Sequence, residues 1–240
     1  MEVMGRTPGN DDLRRAYRIR IGAFIAGVIL VVVFLSVLFQ AIQTLTRLQV
    51  VESERDKWQR PSEILQTLNL KTGNVVVDFG SGVGYFTLKL ARAVGDHGKV
   101  LAVDIRPLPL LFLRARAFLQ SQHNIVIIRA DPRSPRLPTP VEAVLIANTY
   151  HELTDSRTVL ATLHRSLVSG GRLVIVDRGP QFASSDTRNT RESEKRHHEL
   201  SSTFVEGDVR QSGFEIVRRD DAFISPPADE VWWLLVARKP

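Results

Sequence analysis

A glycine-rich turn between an apolar run and an amphipathic segment is the feature that most limits how this chain can fold. Residues 75–77 are valines, which favour a buried strand, and a helix-compatible apolar pattern begins at Phe86. Gly80, Gly82 and Gly84 lie between them. Glycines at a strand-to-helix turn adopt unusual backbone angles and let a ligand contact main-chain N–H groups at the helix start. The segment therefore predicts a ligand-binding turn in an α/β fold.

The spacing of these glycines separates several kinds of nucleotide-binding loop. In the dinucleotide pattern Gly-x-Gly-x-x-Gly, starting at Gly80, the third glycine would stand at position 85, which is Tyr85. A P-loop needs Gly-Lys-Ser/Thr, which does not follow here. The motif present is Asp78-x-Gly80-x-Gly82-x-Gly84, and it closely resembles the first motif of class I S-adenosylmethionine-dependent methyltransferases. In that family the loop holds the methionine end of the cofactor.

The next two apolar runs end in acidic residues, as they do in this family. Counting residues 75–77 as the first run, residues 99–103 form the second, and Asp104 follows directly. A carboxylate at this place can accept hydrogen bonds from both hydroxyls of a ribose. Residues 124–129 form the third run, and Asp131 stands where the family commonly recognises the adenine amino group. The resemblance therefore implies a ribose contact at Asp104 and an adenine contact at Asp131.

The rest of the pattern resembles the same family as far as about residue 239. A fourth run at residues 141–147 is followed by Asn148, and Gly170-Gly171 precedes a fifth run at residues 173–176, much like the family's usual turn and strand. Two last strands are expected over residues 214–218 and 231–237. We therefore expect an α/β fold with a Rossmann-like, doubly wound sheet of seven strands, six parallel and one antiparallel at the edge. In the last strand, one of the adjacent Trp232 and Trp233 should face the core and the other outward.

The resemblance implies S-adenosylmethionine as cofactor and no metal. The expected cofactor-binding residues are Asp78, Gly80, Ser81, Gly82, Gly84, Tyr85, Asp104, Ile105, Asp131 and Asn148. The adjacent His197 and His198 make a poor metal site, because neighbouring residues do not face one another on a helix.

His151 is the candidate catalytic residue. It follows the fourth strand, at the sheet edge where ligands bind in open α/β folds. Methyl transfer requires a nucleophile aligned with the sulfur, and a hydroxyl nucleophile must also lose a proton to a base. Histidine is suited to that task near neutral pH. The alternative is a histidine that only packs or caps at a helix start.

The N-terminal part of the chain predicts a membrane span. Residues 21–39 contain no charge and no proline, and a helix needs about 20 apolar residues to cross a bilayer. A signal peptide would have a shorter apolar region followed by a small-residue cleavage site, and neither criterion is met well. The expected divisions are an N-terminal tail at 1–20, a transmembrane helix at 21–42, a helical linker at 43–60 and a methyltransferase domain at 61–240.

The flanking charges say little about orientation. Residues 1–20 hold five arginines and residues 47–60 hold four lysines and arginines, which weakly favours a cytoplasmic N-terminus. The cofactor is cytosolic in organisms that carry this family. We therefore expect a single-pass membrane protein whose catalytic domain faces the cytoplasm.

Composition excludes several kinds of chemistry. The chain has no cysteine, so it has no disulfide, no thiolate zinc site and no cysteine nucleophile such as the family's 5-methylpyrimidine branch uses. Residues 148–151 read Asn-Thr-Tyr-His, which departs from the Asn/Asp-Pro-Pro-Tyr/Phe motif of nucleic-acid amino methylation. The net charge is +6, but the richest basic stretch, residues 188–196, alternates in sign as a solvated surface does. We do not expect a nucleic-acid partner.

These observations predict a membrane-anchored methyltransferase that acts on a small or lipid-like acceptor by direct in-line methyl transfer. The alternatives are a non-catalytic scaffold that binds S-adenosylmethionine in a membrane complex, and a methyltransferase of protein or RNA. The methylated atom and the oligomeric state stay open.

Overall fold

The computed structural model describes residues 10–131, 137, 140–179, 199–224 and 231–240. Residues 131–140 contain four prolines, which predict an irregular loop. This segment lies mostly outside the described ranges, and the basic stretch at 188–196 lies entirely outside them. His197 and His198 also lie outside the described residues. The chain divides into two compact units, Met1–Arg55 and Asp56–Pro240.

Helix α1 spans Asn10–Trp58 and provides the described part of the first unit. Its segment Tyr17–Trp58 contains an 18-residue window with a mean hydropathy of 3.0, none of it buried. The helix is therefore long and apolar enough to cross a membrane. Signal sequences share this length and composition near an N-terminus.

The second unit is built on one seven-stranded sheet. Its strands are β1 (Val75–Phe79), β2 (Lys99–Asp104), β3 (Ile125–Arg129), β4 (Val141–Ala147), β5 (Leu167–Arg178), β6 (Glu215–Ile224) and β7 (Trp232–Arg238). The order across the sheet is β3-β2-β1-β4-β5-β7-β6. Strands β1 to β5 pair in parallel, and β7 pairs antiparallel with both β5 and β6. The predicted fold class is confirmed, and the single antiparallel strand is β7, which lies one place inside the edge strand β6.

Helices cover both faces of this sheet. The helices are α2 (Pro61–Thr67), α3 (Tyr85–Val94), α4 (Pro107–Leu119), α5 (Ser156–Ser166) and α6 (Ser202–Gln211), with a 3-10 turn at Tyr150–Glu152. Adjacent residues of a strand point to opposite faces, and Val76 and Val77 accordingly belong to different buried clusters. The cluster of Val76 includes residues of α2 and α3, and that of Val77 includes residues of α5 and α6.

Burial on both faces overturns the expectation for the adjacent tryptophans of β7. Trp232 and Trp233 are 4% and 1% exposed, so neither faces solvent. They belong to the two clusters on opposite sides of the sheet. The alternation was predicted correctly, but β7 lies inside the sheet, where both faces are covered.

Arg219 on β6 connects α6 to the sheet edge through charged hydrogen bonds. Its guanidinium donates to Asp221 Oδ1 and Oδ2 at 2.7 and 2.8 Å and to Glu206 Oε2 at 2.9 Å. The hydrogen bonds from Arg219 are the main reason that the pKa of each carboxyl lies below its ordinary value. The hydrogen bonds from Arg219 to Asp221 and Glu206 therefore stabilise the fold while both carboxyls are ionised.

We expect Arg219→Ala to lower the free energy of unfolding by about 1 kcal/mol at pH 7, because the group is partly solvated. A carboxyl with a depressed pKa stabilises the folded state above its unfolded pKa of about 4, and this contribution is lost as the pH falls through the folded pKa. The difference from wild type should therefore shrink below about pH 4. Urea unfolding of both proteins in detergent, at pH 7 and at pH 3, measures this difference in unfolding free energy.

Arg238→Ala is the matched control, because it removes one ion pair in which both side chains are 52% exposed. This change should affect the unfolding free energy less than Arg219→Ala does. An Arg219→Ala effect that is equally large at pH 3 and pH 7 would contradict the assignment to ionised carboxyls.

Candidate functional site

The carboxyl ends of five neighbouring parallel strands form one edge of the sheet. The order reverses between β1 and β4, which are neighbours although the chain continues from β1 to β2 on the other side. Open α/β sheets bind ligands in the crevice at such a point. The residues predicted for the site follow these strands, so the topology brings them to the same edge.

Two glycines of the glycine loop, residues 80–84, are required by the packing around them. Gly80 has φ +82°, and a Cβ there would lie 2.3 Å from side-chain atoms of Thr149. Gly84 has φ +93°, and a Cβ would lie 2.3 Å from Leu113 Cδ1. Gly82 differs, because no atom lies within 4 Å of its added Cβ. The loop is therefore closely packed at both ends and open in the middle.

Hydrogen bonds attach this loop to the end of β2. The N–H groups of Gly80 and Ser81 both donate to Val103 O, at 2.8 and 3.0 Å. The N–H of Gly82 donates to Asp104 Oδ2 at 2.8 Å. The predicted ribose-binding carboxylate and the predicted methionine-binding loop are thus in direct contact.

An open cleft of about 540 Å³ lies at the carboxyl ends of β2 and β3, among residues that follow Asp104 in the chain. Its lining residues are Ile105, Arg106, Pro107, Arg129, Ala130 and Asp131. Asp104 itself is buried, and its Oδ1 accepts a hydrogen bond from Arg106 N at 2.9 Å. The structure therefore brings Ile105 and Asp131 to one cleft beside Asp104, where the sequence predicts ribose and adenine.

Two buried polar atoms near the loop have no hydrogen-bond partner within the described ranges. They are Ser81 Oγ and Asn148 Oδ1. Asn148 follows β4 with φ +54°, a left-handed conformation, and its N–H donates to Val176 O at 2.7 Å. Buried polar groups are normally hydrogen-bonded, so these atoms suit a ligand that carries its own donors. The amino group and hydroxyls of S-adenosylmethionine meet that need.

Asp78 and Tyr85 have side chains that hold helix α3 in position. Asp78 is 2% exposed, and its Oδ2 accepts a hydrogen bond from Thr87 Oγ1 at 2.5 Å. Tyr85 OH donates to Asp56 Oδ1 at 2.6 Å, and its ring lies edge-on to Phe86. These contacts are with the protein, so both residues support the glycine loop through the helix that follows it.

His151 lies in the 3-10 turn after β4 and is paired with an aspartate. Its Nδ1 lies 2.8 Å from Asp177 Oδ1, and its backbone N–H donates to Asp177 Oδ2 at 3.0 Å. The carboxylate accepts a hydrogen bond from Nδ1–H, and in that tautomer the lone pair of the imidazole is on Nε2. Asp177 is fully buried, and the His151 side chain is 2% exposed. Two bonds to one carboxylate therefore fix the orientation of the imidazole ring.

Sequence reasoning missed Asp177 as a site residue. The signal was present, since this aspartate ends the fifth apolar run just as Asp104 ends the second. Strands β4 and β5 are parallel neighbours, so their carboxyl ends are adjacent. The position of Asp177 next to His151 follows from that pairing.

Comparison with known proteins shows which family part of the chain resembles. Residues 76–171 match the model of a methyltransferase domain. The match spans the glycine loop, the cleft and His151. Over these residues the chain is similar to methyltransferase domains.

Individual relatives are similar over about half of the chain. The chain is 29% identical over 122 residues to the ubiquinone/menaquinone biosynthesis C-methyltransferase UbiE of Marinomonas sp. (strain MWYL1), covering 50% of this chain and 48% of the relative. It is 32% identical over 120 residues to the protein of the same name from Teredinibacter turnerae, covering 47% and 46%. The chain thus spans about half the length of the curated relatives it matches.

A solved structure shows the same fold at low sequence identity. A methyltransferase from Aquifex aeolicus, described as dependent on S-adenosylmethionine, superimposes with a TM-score of 0.61 at 21% identity. The superposition covers 74% of this chain and 88% of that chain. The agreement confirms the arrangement of the sheet.

Gly80 and Gly82 of the glycine loop should respond differently to substitution by alanine. We expect Gly80→Ala to lower the free energy of unfolding by at least about 2 kcal/mol, because the methyl group overlaps Thr149 at a positive φ. Gly82→Ala should cost about 1 kcal/mol through its backbone angle alone. It should nevertheless weaken cofactor binding, because the methyl occupies the space expected to receive the ligand.

Thermal unfolding without ligand and calorimetric titration with S-adenosylmethionine separate these two effects. Gly207→Ala, in α6 with no atom near its added Cβ, is the control for an alanine substitution in open space. Equal losses of stability at positions 80 and 82 would show that the loop is packed differently.

Proposed function

We propose that this chain is a membrane-anchored methyltransferase that transfers a methyl group, directly and in line, to a small or lipid-like acceptor. S-adenosylmethionine, when bound, supplies a methyl group already activated by its sulfonium. The observation that carries the proposal is the placement of the glycine loop, Asp104 and the His151–Asp177 pair at one edge of the sheet.

The proposed cofactor contacts are made by groups that can accept a further hydrogen bond and by residues that line the cleft. Asp104 Oδ2 accepts one N–H from Gly82, and a carboxylate oxygen has a further lone pair for a ribose hydroxyl. Ser81 Oγ and Asn148 Oδ1 are positioned for the polar groups of the methionine end. Asp131 and Ile105 line the cleft proposed for adenine. Asp78 and Tyr85 are proposed to act indirectly, by fixing α3.

His151 is the proposed base. The carboxylate of Asp177 accepts a hydrogen bond from Nδ1–H. Nε2 is therefore the atom that would take the proton from a hydroxyl of the methyl acceptor. The imidazolium formed in this way would be stabilised by the adjacent negative charge. Because the His151 side chain is 2% exposed, the reaction it serves would be shielded from water.

The acceptor class is inferred from two independent features. The curated relatives are named as C-methyltransferases of ubiquinone and menaquinone biosynthesis. Segment Tyr17–Trp58 is a candidate membrane span in the same chain. A membrane anchor would keep the site near a substrate that partitions into the bilayer, which raises the effective concentration of that substrate.

We further propose the division into tail (1–20), span (21–42), linker (43–60) and methyltransferase domain (61–240), with the domain facing the cytoplasm. Protease treatment of intact spheroplasts tests this orientation. We expect the domain to resist digestion until the membrane is permeabilised. Digestion of the domain from outside would overturn the orientation.

A non-catalytic scaffold that binds the cofactor is the second candidate, and the low exposure of the His151 side chain is the observation in its favour. Two measurements separate the candidates. Calorimetry with S-adenosylmethionine reports binding, and transfer of labelled methyl from the cofactor reports activity. Binding without transfer to lipids, small molecules, protein or RNA would establish the scaffold.

A further inference from the structure

Helix α4 has a second apolar face that the fold does not bury. Its residues Leu110, Leu113 and Ala117 are buried on the side toward the sheet. The exposed apolar residues are Leu108 (62%), Leu111 (62%), Phe118 (80%) and Leu119 (64%). At 3.6 residues per turn these four side chains lie within an arc of about 100°, opposite the buried side. They form a continuous stripe, called here the outer face of α4.

The segment that contains this face has an unusual charge. Residues 105–130 contain four arginines and no aspartate or glutamate, although the whole chain contains 26 acidic residues. Arg114 is exposed and lies three residues after Leu111 and four before Phe118, so it borders the outer face. Arg106 is also exposed, at the start of the helix. Within residues 105–130 the acidic and basic side chains near the apolar stripe are therefore all basic.

We propose that the outer face of α4 docks on an anionic lipid bilayer. Exposed leucine and phenylalanine on one side of a helix, with arginine beside them, is the composition of helices that lie in the membrane interface. Anionic headgroups complement a segment that has arginines and no acids. Long arginine side chains can reach the headgroups while the leucines enter the acyl region.

The inference rests on the proposed membrane location and is independent of methyl transfer. A candidate span in the same chain would hold α4 at high effective concentration near the bilayer. Arg106 and Pro107, at the start of α4, also line the cleft beside Asp104. Docking would therefore bring the carboxyl edge of the sheet close to the lipid surface.

A second copy of the chain is the competing occupant, and charge disfavours it. In a two-fold dimer the same patch contacts itself, so Arg114 and its neighbours would face the same positive segment in the partner. No acidic residue between positions 105 and 130 could compensate that repulsion.

The absence of cysteine makes a direct test possible. Single variants Phe118→Cys on the outer face and Val217→Cys on β6 each carry one environment-sensitive dye. Val217 is 50% exposed, apolar and located at the opposite edge of the sheet, so it is the matched control. Phe34→Cys, in α1, reports the anchor separately. The full chain is reconstituted in vesicles of phosphatidylglycerol and phosphatidylcholine containing a lipid-borne quencher.

We expect the dye at position 118 to be quenched at least twofold more than the dye at 217, and this difference to fall in pure phosphatidylcholine. Arg114→Glu should also reduce quenching at 118, whereas Arg157→Glu, exposed on α5, should not. Equal quenching at 118 and 217 would overturn the proposal. So would a blue shift at 118 without lipid quenching, which would indicate a second copy.

The dye at position 34 shows whether a negative result rejects docking of α4 alone or the membrane anchor as well. Quenching at 34 with none above the control at 118 would reject docking while the anchor stands. Loss of quenching at both positions would reject both.

Discussion

Replacement of Asp104 by alanine is expected to weaken S-adenosylmethionine binding about 100-fold or more. Asp104 is 5% exposed and holds the Gly82 N–H at 2.8 Å, so its loss releases the middle of the glycine loop. It also removes the proposed acceptor of the ribose hydroxyls. A hydrogen bond to a charged group contributes about 1.5–3 kcal/mol, and two such losses correspond to a factor of at least about 100 in affinity. Isothermal titration calorimetry measures the change.

Two further variants make this result specific. Asp96→Ala removes an exposed carboxylate from the turn before β2, at the end of that strand opposite Asp104, and should leave the affinity unchanged. Asp104→Asn keeps one hydrogen-bond acceptor without the charge and should give an intermediate loss. Affinity of Asp104→Ala within threefold of wild type would mean that the cofactor does not use this carboxylate.

Replacement of His151 by glutamine is expected to lower kcat by about 10² to 10⁴ while cofactor affinity stays within threefold of wild type. This range is typical of removing a general base. Asp177→Asn should give a loss of similar direction, because asparagine carries no charge to stabilise an imidazolium and can accept only one of the two hydrogen bonds from His151. Steady-state kinetics with each variant, compared with calorimetry, separates turnover from binding.

Thermal unfolding is needed beside these kinetics, because both side chains are buried. Asp177→Asn is nearly isosteric, so it tests the chemistry with little change in packing. His97→Gln, an exposed histidine in a turn, controls for the loss of an imidazole and should leave kcat unchanged. Unchanged kcat in folded His151→Gln would leave this histidine with a packing role only.

The sheet could be predicted because each strand has a strong local signal. The valines of β1 and the apolar runs of β2 and β4 are long, β-branched and bounded by glycine or polar residues. The fifth strand was predicted too short, at 173–176, because Gly170-Gly171 reads as a turn. In the structure these glycines lie within β5, next to a register shift against β4. Val141 pairs with Leu167 and Ala143 with Arg172, so the irregularity accommodates three extra residues in β5.

Residues of the candidate site could be predicted where a particular residue type at a particular position of the local sequence pattern indicates the role. Asp104 and Gly82 were found in this way, and the structure places them in contact. Contacts between distant segments could not be read from local pattern. Thr149 against Gly80 and Asp177 against His151 both depend on which strands become neighbours.

The exposed face of α4 is an example of a feature that periodicity cannot assign. Residues 107–119 are apolar around most of the helix, so sequence pattern did not distinguish its buried side from its outer side. Only the packing against β2 and β3 shows that Leu113 is buried and Phe118 is exposed.

The most direct test of the account is methyl transfer into lipid by the reconstituted full chain. Labelled S-adenosylmethionine is incubated with the protein in vesicles containing a membrane lipid extract, and the organic phase is then separated and counted. We predict label in the lipid fraction with wild type and background label with Asp104→Ala or His151→Gln. Cofactor binding by calorimetry together with background label in the lipid fraction for wild type would contradict a methyltransferase of lipid-like acceptors.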